Sequence, residues 1–198
     1  MPRVALLAVL ALLLSGRVAA AEKQIRAFAA VGFNGATTFT LGDAVEKKHG
    51  ILGVGASWVG NLVGVEGDLG WGPGFFEPHP KQLIVAHSSG VTTATGNVIV
   101  TLPRKWMEYT LRPYVVGGVG VMHVTFTDVF NVFNVSEVLP TYDIGGGAVG
   151  FLTNRVGVAW EVRRFDTLKE SSTLGISSPS PGGRLSFWRA SMALVVRY

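Results

Sequence analysis

Apolar and polar side chains alternate along several segments of the chain. From Val63 to Trp71 the odd positions are apolar or glycine, whereas the even positions include Glu66 and Asp68. Successive side chains of a β-strand point to opposite faces, so this pattern predicts a strand with both carboxylates on one face. A helix would scatter these residues around its axis and would be weakened by the many glycines.

Three other segments have the same two-residue period, with an apolar face opposite a face of glycine, small or polar residues. Leu52, Val54, Ala56 and Trp58 oppose Gly53, Gly55 and Ser57; Val156, Val158, Trp160 and Val162 oppose Gly157, Ala159, Glu161 and Arg163; Trp188, Ala190, Met192, Leu194, Val196 and Tyr198 oppose Phe187, Arg189, Ser191, Ala193, Val195 and Arg197. These patterns predict three more strands.

Four further segments carry apolar residues or glycine on both faces, and their β-branched residues favour strands over helices. They are residues 27–41, 91–102, 111–127 and 141–152. The total is eight strands, and an even number brings both chain termini to the same side of a barrel.

The connections between these strands alternate in length. Short ones are expected at residues 60–62, 103–109 and 153–155, and long polar or Pro-rich ones at 42–50, 77–90, 128–140 and 169–183. This asymmetry is typical of transmembrane β-barrels, which have short periplasmic turns and long extracellular loops. We therefore expect both termini in the periplasm.

The N-terminal segment has the layout of a secretory signal peptide. Arg3 precedes the apolar run 4–14, and Ala19 and Ala21 form an A-x-A cleavage site. The run is too short for a membrane-spanning helix, which needs about 20 residues. The sequence thus predicts a signal peptide at 1–21 and a barrel domain at 22–198.

Composition sharpens this interpretation. Of the 198 residues, 48% are hydrophobic and only 15% are charged, yet no apolar stretch after the signal peptide reaches the roughly 18 residues of a transmembrane helix. A transmembrane β-barrel reconciles the two facts, because each strand shows lipid-facing side chains only at alternate positions. The chain has no cysteine, which excludes a lipoprotein and a disulfide framework, and no Lys/Arg cluster that would indicate a nucleic-acid partner.

Three runs in the second half of the chain resemble later strands of a known family. They are LRPYVVGGVG at 111–120, GGGAVGFLTN at 145–154 and VAWEVR at 158–163. The family is that of the small outer-membrane β-barrel domains, eight-stranded barrels similar to outer-membrane protein A and its X-type relatives. The resemblance implies an integral protein of the outer membrane of a diderm bacterium, with outer-membrane lipids and the barrel-assembly machinery as partners.

Members of that family commonly end in an alternating strand with a terminal aromatic residue, usually Phe, which the assembly machinery recognises. The residues of this chain that match the signal are Trp188, Met192, Leu194, Val196 and Tyr198. The match departs from the usual pattern in having Tyr at the last position.

Five charged residues fall on the faces opposite the apolar stripes: Glu66, Asp68, Glu161, Arg163 and Arg189. An eight-stranded barrel has an interior just wide enough for side chains, so we expect a packed lumen rather than a pore. A charge facing hydrocarbon at mid-depth costs about 2–4 kcal/mol, which favours an internal salt-bridge network with a structural role.

No motif predicts a cofactor or a metal. The G-x-G-x-x-G pattern at 145–150 is not followed by a helix, and the four histidines lack metal-ligand spacing. The predicted function is therefore a structural or surface-interaction role, with no assigned reaction.

Two other functions remain open. The first is an outer-membrane enzyme that acts on lipid or peptide at the barrel rim, where His79, His87, Ser88 and Ser89 share one predicted loop. The second is a soluble exported lipocalin-like barrel, in which the faces would be inverted and the tryptophans would line the interior. An extracellular ligand bound through the long loops also stays open, because loop 128–139 is apolar and loop 169–183 is rich in Ser and Pro.

Overall fold

The computed structural model describes residues 21–37, 48–74, 86–103, 111–128, 134–168 and 185–198. Ala19 and the rest of segment 1–20 lie outside these ranges, so the signal peptide stays a prediction. Within the described part of the chain, no helix is long and apolar enough to cross a membrane.

Eight strands make up the described fold. They are β1 (Glu22–Thr37), β2 (His49–Val59), β3 (Val63–Pro73), β4 (Ala86–Thr101), β5 (Leu111–Asp128), β6 (Asn134–Phe151), β7 (Val156–Thr167) and β8 (Leu185–Arg197). Each strand pairs antiparallel with the next, and β8 pairs with β1 to close the barrel. The prediction of an all-β, eight-stranded, antiparallel up-and-down barrel is confirmed.

Two of the predicted long loops are shorter than expected, because strands extend into them. β4 begins at Ala86 rather than 91, and β6 begins at Asn134 rather than 141. The antiparallel pairing of β5 with β6 runs as far as Thr127 opposite Asn134. Backbone pairing does not require alternating side chains, so polar and Pro-containing sequence at 134–140 still forms a strand.

The connections β2–β3 and β6–β7 are short and lie at the same end of the barrel, which we call the turn end. The amide of Gly60 donates to the Val63 carbonyl at 2.9 Å, and the amide of Leu152 donates to the Val156 carbonyl at 3.0 Å. The last residues join this end, since the Tyr198 amide donates to the Lys23 carbonyl at 3.1 Å. The opposite end, where β3 ends and β4 begins, is called the loop end.

The two faces of the barrel wall differ sharply in chemistry. Large apolar side chains cover the outer face, and about half or more of their surface is exposed, as for Val65, Trp71 and Ile144 at 53%, 55% and 61%. The inner face carries the buried polar and charged residues together with an apolar layer. The predicted assignment of faces in β2, β3, β7 and β8 agrees with the burial along these strands.

The apolar layer contains Phe28, Met122, Phe165 and Phe187, each at most 5% exposed. The rings of Phe165 and Phe187 stack with their centroids 5.1 Å apart. This layer fills the interior on the side of the loop end.

Glycines on the inner face make room for the large side chains opposite them. A Cβ built on Gly53 would lie 2.2 Å from both Phe28 Cζ and the Leu69 carbonyl oxygen. A Cβ on Gly55 would lie 2.7 Å from Arg26 Nε, and one on Gly145 would lie 2.7 Å from Arg163 Cγ. The narrow interior of the barrel therefore explains why glycine occupies these three inner positions.

We predict that Gly53→Ala lowers the free energy of unfolding by about 1–3 kcal/mol, because the added methyl group overlaps Phe28 and a backbone carbonyl that cannot move away. Gly67→Ala is the matched control on β3, since its Cβ would point outward with no atom within 4 Å. The control should change the free energy by less than about 1 kcal/mol, in the stabilising direction. Urea unfolding of both variants in detergent micelles measures the difference, and equal losses would contradict this explanation of the glycines.

Candidate functional site inside the barrel

The charged interior is the most distinctive chemical feature of the described residues. The five charged residues selected from the sequence all point inward, and each is at most 5% exposed. Two further charged residues join them, Arg26 on β1 and Asp143 on β6. We call these seven residues the central network: Arg26, Glu66, Asp68, Asp143, Glu161, Arg163 and Arg189.

Arg163 is the hub of the central network. Its Nε donates to Glu161 Oε1, and its Nη2 donates to Glu161 Oε2 at 2.7 Å and to Glu66 Oε1. Its Nη1 donates to Asp143 Oδ2 at 3.1 Å. One guanidinium thus connects carboxylates of the neighbouring strands β6 and β7 with a carboxylate of β3, which pairs with neither of them.

Arg26 makes a second set of contacts across the interior. Its Nη2 donates to Asp68 Oδ2 at 2.6 Å and to Glu66 Oε1 at 2.8 Å, and its Nη1 donates to Glu161 Oε2 at 3.0 Å. Since Arg26 lies on β1, these bonds tie the closing strand to the acidic residues of β3 and β7.

Arg189 connects the central network to the apolar layer. Its Nη1 donates to Asp68 Oδ1 at 2.8 Å, and its Nη2 lies 3.7 Å from Glu161 Oε1. The guanidinium carbon lies 4.6 Å from the ring centroid of Phe28 and 4.8 Å from that of Phe165. A cation between two aromatic faces is attracted by their ring quadrupoles, which compensates in part for its burial.

Neutral polar side chains complete the network. The hydroxyl of Tyr114 donates to Glu161 Oε2 at 2.9 Å, and Asn97 Nδ2 donates to Glu66 Oε1 at 3.3 Å. Buried carboxylates need such donors, because a buried charge without partners is very costly.

A separate group of charged residues, Glu22, Arg112 and Arg197, lies at the turn end. Arg112 Nη2 donates to the carbonyls of Gly60 and Asn61 at 2.8 and 2.9 Å, and Arg112 Nη1 lies 3.9 Å from Glu22 Oε2. Glu22 also accepts from Arg197 Nη1 at 3.1 Å. A cavity of about 30 Å³ lies between Arg112 and Arg26, enough space for one or two water molecules.

Sequence reasoning missed Arg26, Arg112 and Asp143. Both faces of their strands consist largely of apolar residues or glycine. The sequence therefore did not show which face of each strand points into the barrel. For Arg26 a usable signal existed, because Gln24, Arg26 and Phe28 recur at the two-residue period on the buried side of β1.

The proposed assembly-signal residues occupy the outer face of β8. Met192, Leu194 and Tyr198 are 58%, 55% and 68% exposed, and Val196 and Trp188 share their face. None of these side chains takes part in the central network.

The remaining candidate residues divide between the described and undescribed parts of the chain. His79 lies outside the described residues. For His87, Ser88 and Ser89 the structure describes only the backbone, which belongs to β4. The hypothesis of an enzyme at the barrel rim therefore stays a prediction. His123 Nε2 and Ser136 Oγ are 2.9 Å apart on the outer face. Within the described ranges, no three His, Asp or Glu side chains are placed to hold a metal ion.

We predict that Arg163→Met lowers the free energy of unfolding by about 3–5 kcal/mol, because it leaves three buried carboxylates without their shared partner. The neighbouring Arg164 is the matched control, since its side chain is 45% exposed on the outer face, where it pairs with Asp166 at 3.4 Å and lies 5.9 Å from the ring centroid of Trp188. Arg164→Met should change the free energy by less than about 1 kcal/mol. Denaturant titrations of the refolded proteins measure both, and a loss for Arg163→Met no larger than that of the control would contradict a stabilising network.

Comparison with known proteins gives matches among solved structures alone. No protein-family model matches the sequence, and no curated protein matches it. The barrel of Neisserial surface protein A matches with a TM-score of 0.61 and 10% identity, over 87% of this chain and 96% of that one. The N-terminal barrel of Pseudomonas aeruginosa OprF matches with a TM-score of 0.54 and 15% identity, over 89% and 97%.

The attachment invasion locus protein Ail of Yersinia pestis is a third match, with a TM-score of 0.53 and 15% identity over 88% of this chain and 98% of that one. All three are eight-stranded outer-membrane barrels. The resemblance drawn from the sequence is therefore confirmed at the level of the fold: this chain has the fold of the eight-stranded outer-membrane β-barrels.

Proposed function

We propose that this chain is an integral outer-membrane protein of a diderm bacterium, with a structural or surface-interaction role and a packed interior that is not a diffusion pore. One observation carries the proposal: the outer face is apolar, while the buried charges face one another inside. In water, such a band of exposed apolar side chains would far exceed the few hundred Å² that soluble monomers commonly expose. In a bilayer the same surface is satisfied by acyl chains.

The lipocalin-like alternative requires the opposite arrangement of side chains. A soluble barrel of this size would bury its tryptophans inside and expose its charges. Trp58, Trp71 and Trp160 are instead 51%, 55% and 48% exposed on the outer face, and Glu161 and Arg163 are internal. This inversion favours the membrane barrel.

The packing of the interior supports a closed lumen. Between the turn end and the loop end, a solute would meet Arg112, the central network and the layer of stacked Phe165 and Phe187. The cavity between Arg26 and Arg112 is about 30 Å³, which holds one or two water molecules.

The difference between the two ends of the barrel supports one orientation of the protein in the membrane. We propose that the turn end and both termini face the periplasm and that the loop end is extracellular, as in transmembrane barrels generally. At the loop end the pairing of β4 with β5 continues to Ala86 opposite Asp128, and that of β5 with β6 to Thr127 opposite Asn134. A surface-interaction role would use this end, and the outer residues of β8 would serve recognition by the assembly machinery.

We expect the protein in the outer-membrane fraction, with a folded form that migrates differently on gels before and after heating. Protease added to intact cells should cut in the loop after Lys169 and leave the barrel protected, whereas the turn at Arg155 should need permeabilised cells. Lys169→Ala is the control that identifies the first cut. Recovery from the soluble periplasm, or cutting at Arg155 in intact cells, would contradict the proposed location or orientation.

Purified protein in planar bilayers should give no large, stable conductance steps, because the ion pairs and the apolar layer fill the interior. Addition of protein-free detergent micelles is the control for bilayer leakage. Reproducible channel openings above that background would contradict a packed lumen.

A further inference from the structure

Four neighbouring strands beside the β1–β8 seam carry a row of outward side chains with a cation at each end. Arg164 of β7 pairs with Trp188 of β8, and Trp188 pairs with Phe33 of β1. Lys48 directly precedes β2 and lies beside Phe33, because the β1–β2 pairing ends one residue nearer the turn end on each strand. We call these four residues the rim row: Lys48, Phe33, Trp188 and Arg164.

The rim row lies where the apolar band of the outer face ends on the loop side. On β1, the outward residues between Lys23 and Phe33 are Ile25, Ala27, Ala29 and Val31. A strand of this length, tilted by about 40°, spans about 25 Å along the barrel axis, which is the height of the apolar band in outer-membrane barrels. Lys23 thus marks the turn-end boundary of the band, and the rim row marks its loop-end boundary.

Both cations of the rim row are accessible. The side chain of Arg164 is 45% exposed, and its Nη2 lies 3.4 Å from Asp166 Oδ2, one outward position nearer the loop end. This single long contact orients the guanidinium toward the head-group region and leaves most of its five N–H donors available to another anion. Lys48 is exposed, and within the described residues it forms no ion pair.

The positive charge at the loop end is concentrated on this side of the barrel. In the described parts of β3 to β6, the only Lys or Arg side chain is that of Arg112, which is buried. Aromatic side chains do face outward there, since Trp71 and Tyr142 are 55% and 36% exposed. Aromatic residues at the membrane boundary therefore occur on both sides of the barrel, whereas the outward cations at the loop end lie on four neighbouring strands.

The spacing of the two cations fits a head group with an anion at each end. Lys48 and Arg164 are three strand spacings apart, which corresponds to about 14 Å between their Cα atoms. The rings of Phe33 and Trp188 lie between them, at the level where aromatic side chains contact both acyl chains and head groups. A disaccharide lipid with a phosphate at each end has this layout, whereas the single phosphate of an ordinary phospholipid would engage one cation.

We propose that the rim row binds the head group of a bisphosphorylated glycolipid in the outer leaflet. Lys48 and Arg164 each pair with one phosphate, while Trp188 and Phe33 pack against the sugars and the adjoining acyl carbons. Arginine–phosphate hydrogen bonds are short and charge-assisted, so they hold the lipid on the barrel wall beside the seam. The site rests on the proposed function, in which the loop end is extracellular.

Calorimetric titration of the detergent-refolded barrel with lipid A that carries both phosphates tests the site. Lys48→Gln combined with Arg164→Gln should weaken binding by about 10–30-fold, because two interfacial cations lose their attraction to an anionic lipid. Lys23→Gln combined with Arg155→Gln is the matched control, since both side chains are exposed at the turn end. The control removes the same charge and should weaken binding by less than about threefold, because distant surface charges are screened. Equal losses in the two double variants would overturn the proposal.

The chemistry of the head group is tested on the wild type. Lipid A stripped of its phosphates, phosphatidylglycerol and sodium phosphate at equal ionic strength should each bind at least about tenfold more weakly than intact lipid A. Equal binding of phosphatidylglycerol would show attraction to any anionic lipid, and equal binding of sodium phosphate would show a site for the free ion. Either result would overturn the assignment to a glycolipid.

Folding of each variant is checked by gel migration before and after heating. Arg164→Lys keeps the charge and should weaken binding less than Arg164→Gln, which separates loss of charge from loss of structure. A wild-type barrel that refolds but does not bind lipid A would contradict the glycolipid site and leave the outer-membrane location standing. Failure of the wild type to fold in detergent would instead contradict the proposed function itself.

Discussion

In hydrocarbon, a backbone N–H or C=O group without a partner costs several kcal/mol, and a closed sheet is one of only two structures that satisfies them all within the protein. The pairing of β8 with β1 meets this constraint, and the other features of the molecule follow from it. Closure forces every strand to show one face outward and one face inward. The apolar residues of alternate positions cover the outside, and the remaining positions must fill a narrow interior.

That narrow interior links the glycines to the arginines. A guanidinium in the lumen needs space beside it on the neighbouring strand, and Gly55 and Gly145, which pair directly with Arg26 and Arg163, provide that space. Each buried guanidinium in turn needs carboxylates, which come from β3, β6 and β7. The contacts of Arg26 with Glu66 and Glu161, and that of Arg163 with Glu66, cross the barrel. The central network therefore fixes the relative positions of strands that share no backbone hydrogen bonds. This stabilisation adds to that of the backbone hydrogen bonds between paired strands.

Much of the fold was predictable because period-two alternation carries it. β3 and β7 place charged residues opposite apolar ones, so the alternation assigns Glu66, Asp68, Glu161 and Arg163 to the inner face, and all four are buried there. Asp143 was not found, because β6 has small or apolar residues on both faces, and Arg26 was not found, because the first predicted strand began only at residue 27 whereas β1 begins at Glu22. The lengths of β4 and β6 were underestimated for a related reason, since backbone pairing continues where side-chain alternation has stopped. The ion pairs of the interior join residues of distant strands, so no local sequence pattern predicts which of them pair.

The central claim is that the apolar outer face contacts acyl chains while the inner face does not, and fluorescence quenching by lipids brominated on their acyl chains tests it most directly. The measurement uses two single-tryptophan variants refolded in vesicles, one that keeps Trp160 on the outer face and one with Phe187→Trp on the inner face. We predict strong quenching of Trp160 by the brominated lipid and little quenching of the inner reporter. The arrangement of the two faces would be contradicted if brominated lipid left Trp160 unquenched while a water-soluble quencher reduced its fluorescence.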